Sequence, residues 1–332
     1  MDELSFIGDE CLMDTSWSLY RVTQVKIQGK DLRNPSAFAQ PARDLDSLLQ
    51  KTAKGGAEYD EEDSDHAGGY LKSTWRIIRT SANAGGKARG ILISVNYDRS
   101  MYKAALLLNR QRGRSNPAEF PLLLLRMPPT LAKRFLGFFE SDLSATFQPL
   151  KLASHTLSKI LESYIDTLSY LPSASNLPSY TRESTLQDLP SQLIRDVKVT
   201  LAFNAPISPH LRSLDIDIPF ETVWKLVQPE VTNAHTQTIF LQRLGQHLDR
   251  TMGIKVPWHT NEQPNSSTES SDGYDLIRIS KIACASIVIT SDGKMKIVDK
   301  FSEAVSDEEM VQRIEQANKE LLNELLSQAS AG

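Results

Sequence analysis

Residues 90–98 read GILISVNYD, and this stretch decides which kind of fold to expect. Every second residue from Ile91 to Tyr97 is large and apolar or aromatic, and the residues between them include Ser94 and Asn96. A period of two is typical of a β-strand that lays one face on a core. Residues 84–87, AGGK, predict a turn before this strand. The stretch therefore predicts one member of an antiparallel sheet.

The neighbouring residues extend this strand into a meander with helices beside it. Further strands are predicted from β-branched and aromatic content at residues 17–27, 70–80, 101–109 and 120–127. Residues 35–51 repeat apolar side chains at helical spacing. Pro129 begins an amphipathic helix that ends near Ser141, and Ser154 caps another helix.

The C-terminal half repeats the mixture of strands and helices. Strands are predicted at residues 197–203, 211–218, 275–280, 282–290 and 294–298. Helices are predicted at residues 220–227 and 236–252, and a terminal helix follows a capping box at residues 306–309. Asp292-Gly293 predicts a type I′ turn inside a hairpin that spans residues 282–298. The fold class is α+β, with mostly antiparallel twisted sheets and flanking helices in two lobes.

Three polar segments separate these parts. Residues 54–69 (KGGAEYDEEDSDHAGG) lack apolar periodicity and predict a disordered acidic loop, and residues 261–273 predict another polar loop. Residues 170–192 are rich in Ser and Pro and predict a linker. We therefore expect an N-terminal lobe at residues 1–169 and a C-terminal lobe at residues 193–332.

Charge is concentrated in the meander. Residues 70–134 carry thirteen Lys and Arg but only Asp98 and Glu119 as acids, in a chain whose net charge is −4. The basic residues are Lys72, Arg76, Arg79, Lys87, Arg89, Arg99, Lys103, Arg110, Arg112, Arg114, Arg126, Lys133 and Arg134. Most charge runs are simply solvated surfaces. Because acids are nearly absent here, we expect the block to bind the phosphates of a nucleic-acid backbone, with an acidic protein as the alternative partner.

Evidence for catalysis is weak. The chain has no glycine-rich phosphate loop, nucleophile elbow or zinc-binding helix motif, and Cys11 and Cys284 have no metal-ligand spacing. No run of apolar residues has the length of a membrane helix, so a soluble intracellular protein is expected. Asp215 and Asp217 share one strand face and could hold a cation, which keeps open the alternative of a metal-dependent nucleic-acid-processing enzyme. They also fit a solvent-facing strand surface with Lys198 as a cross-strand partner.

Four stretches occur in a recognisable order. They are SWSLYRV (16–22), FPLLLLRMPPTLAKRFLGFFESDLSATFQPLKL (120–152), RDVKVTLAFNAPISPHLRSLDIDIP (195–219) and IRISKIACASIVITSDGKMKIV (277–298). Together they resemble the fungal branch of the centromere protein L family, whose members are subunits of the inner kinetochore. The match lies in hydrophobic pattern and in Pro and Gly placement, without a catalytic motif.

The resemblance implies a function without catalysis, cofactor or metal. It implies a nuclear protein of the centromere and kinetochore, in the constitutive centromere-associated network, that supports kinetochore assembly and chromosome segregation. It also implies a heterodimer with a centromere protein N-like subunit through the C-terminal sheets, and a basic channel for centromeric DNA lined by residues 70–134. The implied partner interface comprises Ile277, Ile279, Ile287, Ile289, Met295 and Ile297. From the residues alone, the strand at 282–290 is apolar on both faces and is either a central core strand, the commoner case, or a strand buried at a subunit interface. A scaffold that binds only acidic protein tails is a further alternative, and phosphorylation of Ser64 is left open.

Overall fold

The structure of the protein is a computed structural model. It describes residues 7–23, 38–54, 68–79, 88–109, 120–169, 194–203, 211–227, 240–253, 256, 277–298 and 308–331. The predicted acidic loop, the linker at 170–192, the loop at 261–273 and the start of the capping box at Ser306 lie outside these residues, apart from Lys54, Gly68 and Gly69 at the edges of the acidic loop.

The chain divides into two compact units. Unit 1 comprises residues 1–150 and 325–332, and unit 2 comprises residues 151–324. The helix that begins at Ser154 belongs to unit 2, whereas the sequence grouped it with the N-terminal lobe. Its buried residues explain the difference, because Tyr164 Oη donates a hydrogen bond of 3.1 Å to Asn318 Oδ1 in the C-terminal helix.

Unit 1 is built on the predicted meander. Its described strands are β1 (Ile7–Gly8), β2 (Ser16–Val22), β3 (Tyr70–Arg79), β4 (Ala88–Tyr97), β5 (Met101–Leu107), β6 (Leu122–Arg126) and β7 (Phe147–Pro149). They lie in the order β1-β3-β4-β5-β6-β2, and β7 also pairs with β2. Every pair is antiparallel except β1 with β3. Its helices are α1 (Ala39–Lys54), α2 (Pro129–Asp142) and a short 3-10 helix at Asp9–Leu12.

One face of this sheet packs against both α-helices of unit 1. Ile91, Ile93 and Val95 of β4 pack in one hydrophobic cluster with Leu45 of α1 and Phe135 of α2. Helix α2 begins at Pro129, as the sequence predicts, because proline needs no backbone hydrogen bond at this position. Both helices therefore cover the same face of the meander and leave the alternate side chains on the other face.

Unit 2 contains the remaining described strands. Its described strands are β8 (Val197–Phe203), β9 (Ser213–Ile218), β10 (Ile277–Ala283), β11 (Ile287–Thr290) and β12 (Lys294–Ile297). Their order is β12-β11-β10-β8-β9, and all pairs are antiparallel. The helices are α3 (Ser154–Ser169), α4 (Phe220–Val227), α5 (Phe240–Met252) and α6 (Glu308–Ser330), whose residues from Leu325 onward belong to unit 1.

Two details of the C-terminal hairpin differ from the prediction. The single strand expected at 282–290 is two strands, β10 and β11, joined by a turn in which Cys284 N donates to Ile287 O over 2.8 Å. The turn before β12 is not type I′. Gly293 N donates to Thr290 O, and among the residues of this turn only Gly293 has a positive φ, of 78°. A type I turn followed by a left-handed glycine matches this geometry.

The α+β class with mostly antiparallel sheets is confirmed. Several predicted boundaries are reproduced, including those of β8 and α4, and α5 ends at Met252 before Gly253, whose φ is 65°. Apolar residues that repeat every two or 3.6 positions predicted these strands and helices, because each element buries one face.

Candidate nucleic-acid interface

The pairing register brings basic residues together on the face of the unit 1 sheet opposite α1 and α2. Thr74 of β3 lies opposite Ser94 of β4, and Ser94 lies opposite Lys103 of β5. Lys103 in turn lies opposite Arg126 of β6. One continuous row therefore crosses four strands, and its side chains share the face opposite α1 and α2, since directly opposite residues share a face. Ser94 in this row is buried, as are Leu92, Ala105 and Leu124 next to the row on the same face.

Two further cations lie on the same face. Lys72 and Arg76 are each two residues from Thr74 on β3, so their side chains share its direction. Lys72, Arg76 and Arg126 are exposed, and Lys103 is half-buried. We call Lys72, Arg76, Lys103 and Arg126 the basic face of unit 1. Adjacent strands are about 4.8 Å apart, so these four charges are held by paired backbone within a small area.

Polar donors fill the space between these cations. Ser94 and Thr74 lie within the row, and Asn96 lies between Lys72 and Met101 in the next row. The Thr74 hydroxyl and the Asn96 amide suit phosphate oxygens, whereas Ser94 is buried. The sequence did not single out these residues, because an isolated Ser or Asn on a strand carries no signal until the register is known.

A depression lies at the end of the sheet beside Arg126. It encloses about 460 Å³, and Ser16, Ser18, Ser100 and Tyr102 also line it. No acidic residue lines it. Met101, Leu125, Met127 and Pro128 line it as well, so the depression is partly apolar and adds no negative charge next to Arg126.

Arg89 is a structural residue and does not belong to the exposed surface that the sequence predicted for it. Its side chain is buried, and Nη1 lies 2.9 Å from Asp9 Oδ2. Burial lowers the pKa of Arg89, while the charge and hydrogen bond of Asp9 act in the opposite direction. The bulge between β3 and β4 explains the placement, because Ile78 pairs with Gly90 and Arg79 with Ala88, leaving Arg89 unpaired between them.

The remaining predicted cations are dispersed. Arg99 is exposed in the turn between β4 and β5, and Arg79 is half-buried at the end of β3. Lys133 and Arg134 lie on α2, which packs on the opposite face of the sheet from the basic face. Lys87, Arg110, Arg112 and Arg114 lie outside the described residues. The structure therefore brings four of the predicted residues together.

The residues expected to contact a partner chain lie in the core of unit 2. Ile279, Ile287, Ile289, Met295 and Ile297 are at most 2% exposed, and Ile277 is half-buried. The register explains this, since Ile287 lies opposite Ile297 and Ile289 opposite Met295 on the face that the helices cover. These side chains stabilise unit 2 itself.

The two strand carboxylates of the alternative enzyme are engaged by neighbouring strand residues. Thr200 Oγ1 donates to Asp215 Oδ1 over 2.6 Å, and Lys198 Nζ lies 3.0 Å from Asp217 Oδ1. Lys198 is thus the cross-strand partner that the sequence predicts, and the hydrogen bond to Asp217 raises its pKa. No cluster of His, Cys, Asp and Glu suited to a metal occurs among the described residues.

Comparison with known protein families matches residues 11–330 to the family described as Centromere protein L. The chain belongs to the centromere protein L family. No curated protein matches the chain. As a member of the centromere protein L family it is a structural component of the kinetochore, located at the centromere in the nucleus, and associates with other kinetochore subunits. Within the part of the chain that the structure describes, no helix is long and apolar enough to cross a membrane.

Proposed function

We propose that the basic face of unit 1 binds the phosphate backbone of centromeric DNA and so supports kinetochore assembly and chromosome segregation. The observation that carries this proposal is the register that aligns Lys72, Arg76, Lys103 and Arg126 on one face. Like charges directly opposite each other destabilise a sheet. A polyanion that neutralises them offsets this cost and releases counterions from the DNA.

The placement of aromatic residues favours the backbone over the bases. Sheets that bind single strands stack bases on exposed aromatic side chains. Here Trp75 and Tyr97 alternate with the basic residues and pack against the core cluster, where Trp75 stacks on Phe139 with ring centroids 6.0 Å apart. The basic face thus offers charge and hydroxyl groups without a stacking platform, which suits sequence-independent contact with phosphates.

The experiment compares charge-neutralised variants of the full chain on a duplex of about 30 base pairs. Replacing the four residues of the basic face by Gln should reduce the slope of log affinity against log salt by about 3.6, since each phosphate contact contributes about 0.9. The smaller change K103Q/R126Q has a control of equal charge, K133Q/K151Q, at two exposed lysines that are not among the four residues of this face. Equal loss of affinity in both double variants would mean that only net charge matters and would overturn the proposal.

We also propose that a centromere protein N-like subunit pairs with the sheet of unit 2 along β9. Among the described residues β9 pairs with β8 alone, which makes it an edge strand. An edge can accept a strand from another chain through backbone hydrogen bonds. Since the predicted apolar side chains are buried, the backbone edge is the part of this sheet that supports the pairing best.

Co-expression with a centromere protein N-like subunit tests this pairing. A stable heterodimer should protect the amides of residues 213–218 from hydrogen exchange, whereas amides of the central strand β10 should change little. A heterodimer in which β9 keeps its free-state exchange would place the interface elsewhere. If the protein were a metal-dependent nucleic-acid-processing enzyme, D215N/D217N would abolish its function. Our proposal predicts that this variant keeps its DNA affinity.

A further inference from the structure

Three strand ends of unit 1 meet at the depression beside Arg126. Strand β2 begins at Ser16, β5 begins at Met101, and β6, which pairs with both of these strands, ends at Arg126. All three residues line the depression, whose volume is about 460 Å³. Pockets that bind ligands commonly enclose about 300–1,000 Å³. The depression therefore has the size of a binding site, and paired backbone holds its walls in place.

The polar residues of the depression carry donors that the protein itself does not use. Within the described part of the chain, no hydrogen bond or ion pair engages the side chains of Ser16, Ser18, Ser100 or Arg126. Tyr102 lines the same depression and carries a further hydroxyl group. Guanidinium and hydroxyl groups are common donors to phosphate oxygens. These side chains are therefore available to an anionic ligand.

The charges around the depression favour a ligand that carries two negative charges. Arg99 is exposed in the turn before β5, and Lys103 lies opposite Arg126. The acid that precedes Arg99, Asp98, accepts a hydrogen bond of 2.8 Å from Gly69 N and does not line the depression. A phosphorylated side chain carries a charge of about −1.5 to −2 and three acceptor oxygens. It therefore matches three neighbouring cations better than a carboxylate, which carries a single charge.

The remaining lining of the depression is apolar and comes from Met101, Leu125, Met127 and Pro128. Met101 is 50% exposed, whereas Leu125 is 3% exposed. Methionine is flexible and is common at surfaces that bind partners of different shapes. The phosphate backbone of DNA binds through its charge and makes no use of such an apolar wall. A ligand that uses the whole depression therefore carries an apolar group beside its phosphate.

We propose that this depression binds a segment of another protein in which a phosphorylated Ser or Thr lies next to a large apolar residue. The phosphate accepts hydrogen bonds from Arg126 and the serine hydroxyl groups, and the apolar neighbour packs against Met101 and Met127. This inference goes beyond the proposed function, because it gives unit 1 a phosphorylated protein as a partner. Both uses share Arg126, so the phosphorylated segment and DNA compete for this side chain.

The test measures the affinity of the full chain for a short fluorescein-labelled peptide in which phosphoserine lies between two leucines. The phosphorylated peptide should bind at least about tenfold more tightly than its unphosphorylated form, because the phosphate supplies charge-assisted hydrogen bonds. Replacing both leucines of the phosphopeptide by alanine should weaken binding about tenfold, because the apolar contact is lost. Fluorescence anisotropy measures the affinity of all three peptides.

Variants of the chain test the apolar wall separately from the charge. Met101→Ala should weaken binding of the phosphopeptide about fivefold. Met252→Ala is the matched control, because Met252 is 44% exposed on α5 and does not line the depression. Met101→Ala should unfold thermally like the wild type, since half of this side chain is exposed, and should keep its affinity for the duplex of about 30 base pairs, since no charge is removed. Arg126→Gln should weaken binding of both the phosphopeptide and the duplex.

The outcomes separate this inference from the proposed function. If phosphorylation does not strengthen peptide binding while K103Q/R126Q still loses DNA affinity, the phosphopeptide site is wrong and the proposed function stands. If the leucine and alanine phosphopeptides bind equally, the basic face binds phosphate alone, which overturns the inference. If Met101→Ala weakens duplex binding as much as phosphopeptide binding, the depression belongs to the DNA interface, which also overturns it.

Discussion

Arg89 Nη1 lies 2.9 Å from Asp9 Oδ2, and the arginine side chain is nearly inaccessible to solvent while the carboxylate is partly exposed. The pair links the 3-10 helix at Asp9–Leu12 to the bulge at the start of β4. Removing Asp9 would leave the charge of the buried Arg89 without compensation. This costs more than replacing Arg89 itself by an apolar side chain, because no buried charge then remains.

We therefore expect Asp9→Ala to lower the free energy of unfolding by about 2–4 kcal/mol and Arg89→Met to lower it by less. Chemical denaturation measures both, and Glu10→Gln, at an exposed neighbour, is the control. DNA affinity should be unchanged in Arg89→Met, because Arg89 is buried. A larger loss of stability in Arg89→Met than in Asp9→Ala contradicts the structural role assigned to this pair.

The bulge that buries Arg89 is a feature that the sequence alone does not predict. The alternation of residues 90–98 predicts the strand and its inward face, since burial of one face imposes a period of two. It does not predict which cations of neighbouring strands share the outer face, because a single extra residue reverses every direction beyond it. For this reason the sequence located the basic block but could not separate Arg89 from Lys103. For Ile287 and Ile289 the pattern left core and interface open, and it was the family resemblance that assigned them to a partner.

Gly90 is required by the close approach of two backbones. A Cβ atom at this position would lie 2.3 Å from the carbonyl oxygen of Leu106 on the neighbouring strand. Gly90→Ala should therefore destabilise the protein by at least about 2 kcal/mol. Gly137→Ala is the matched control in α2, where a Cβ meets nothing within 4 Å. It should raise the stability by up to about 1 kcal/mol, because alanine favours the helix. Equal effects of the two substitutions in thermal denaturation would contradict this account.

Gly293 is required by its backbone conformation. Its φ of 78° lies in the left-handed region, which costs a residue with a side chain about 1–2 kcal/mol. Gly293→Ala should lower the free energy of unfolding by this amount, whereas Ser291→Ala in the same turn should have little effect. If both variants unfold at the same denaturant concentration as the wild type, the turn does not hold the hairpin in the conformation described.

Cys11 should react slowly with alkylating reagents although it is only partly buried. Burial raises the pKa of its thiol to about 12, against 9.0 for an ordinary cysteine, with a smaller opposing effect from Lys103. Only the thiolate reacts, so its fraction at pH 8 is roughly three orders of magnitude below that of a free thiol. In a Cys284→Ala background the alkylation rate should keep rising about tenfold per pH unit through pH 10. An alkylation rate that reaches a plateau above pH 9 would show that the pKa of the Cys11 thiol is not raised.

The like charges of Lys103 and Arg126 face each other on neighbouring strands, and this arrangement predicts opposite effects on stability and on binding. Directly opposed like charges cost about 0.2–1 kcal/mol, so Arg126→Gln should raise the free energy of unfolding slightly in the absence of DNA. The same substitution should lower DNA affinity and reduce the salt slope by about 0.9. Lys151→Gln, at an exposed cation outside the basic face, should change neither quantity measurably. Denaturation and fluorescence anisotropy on the same preparations measure both effects. If Arg126→Gln loses both stability and DNA affinity, Arg126 has a structural role. If the variant gains stability but loses affinity, the charge of Arg126 serves ligand binding at a cost in stability.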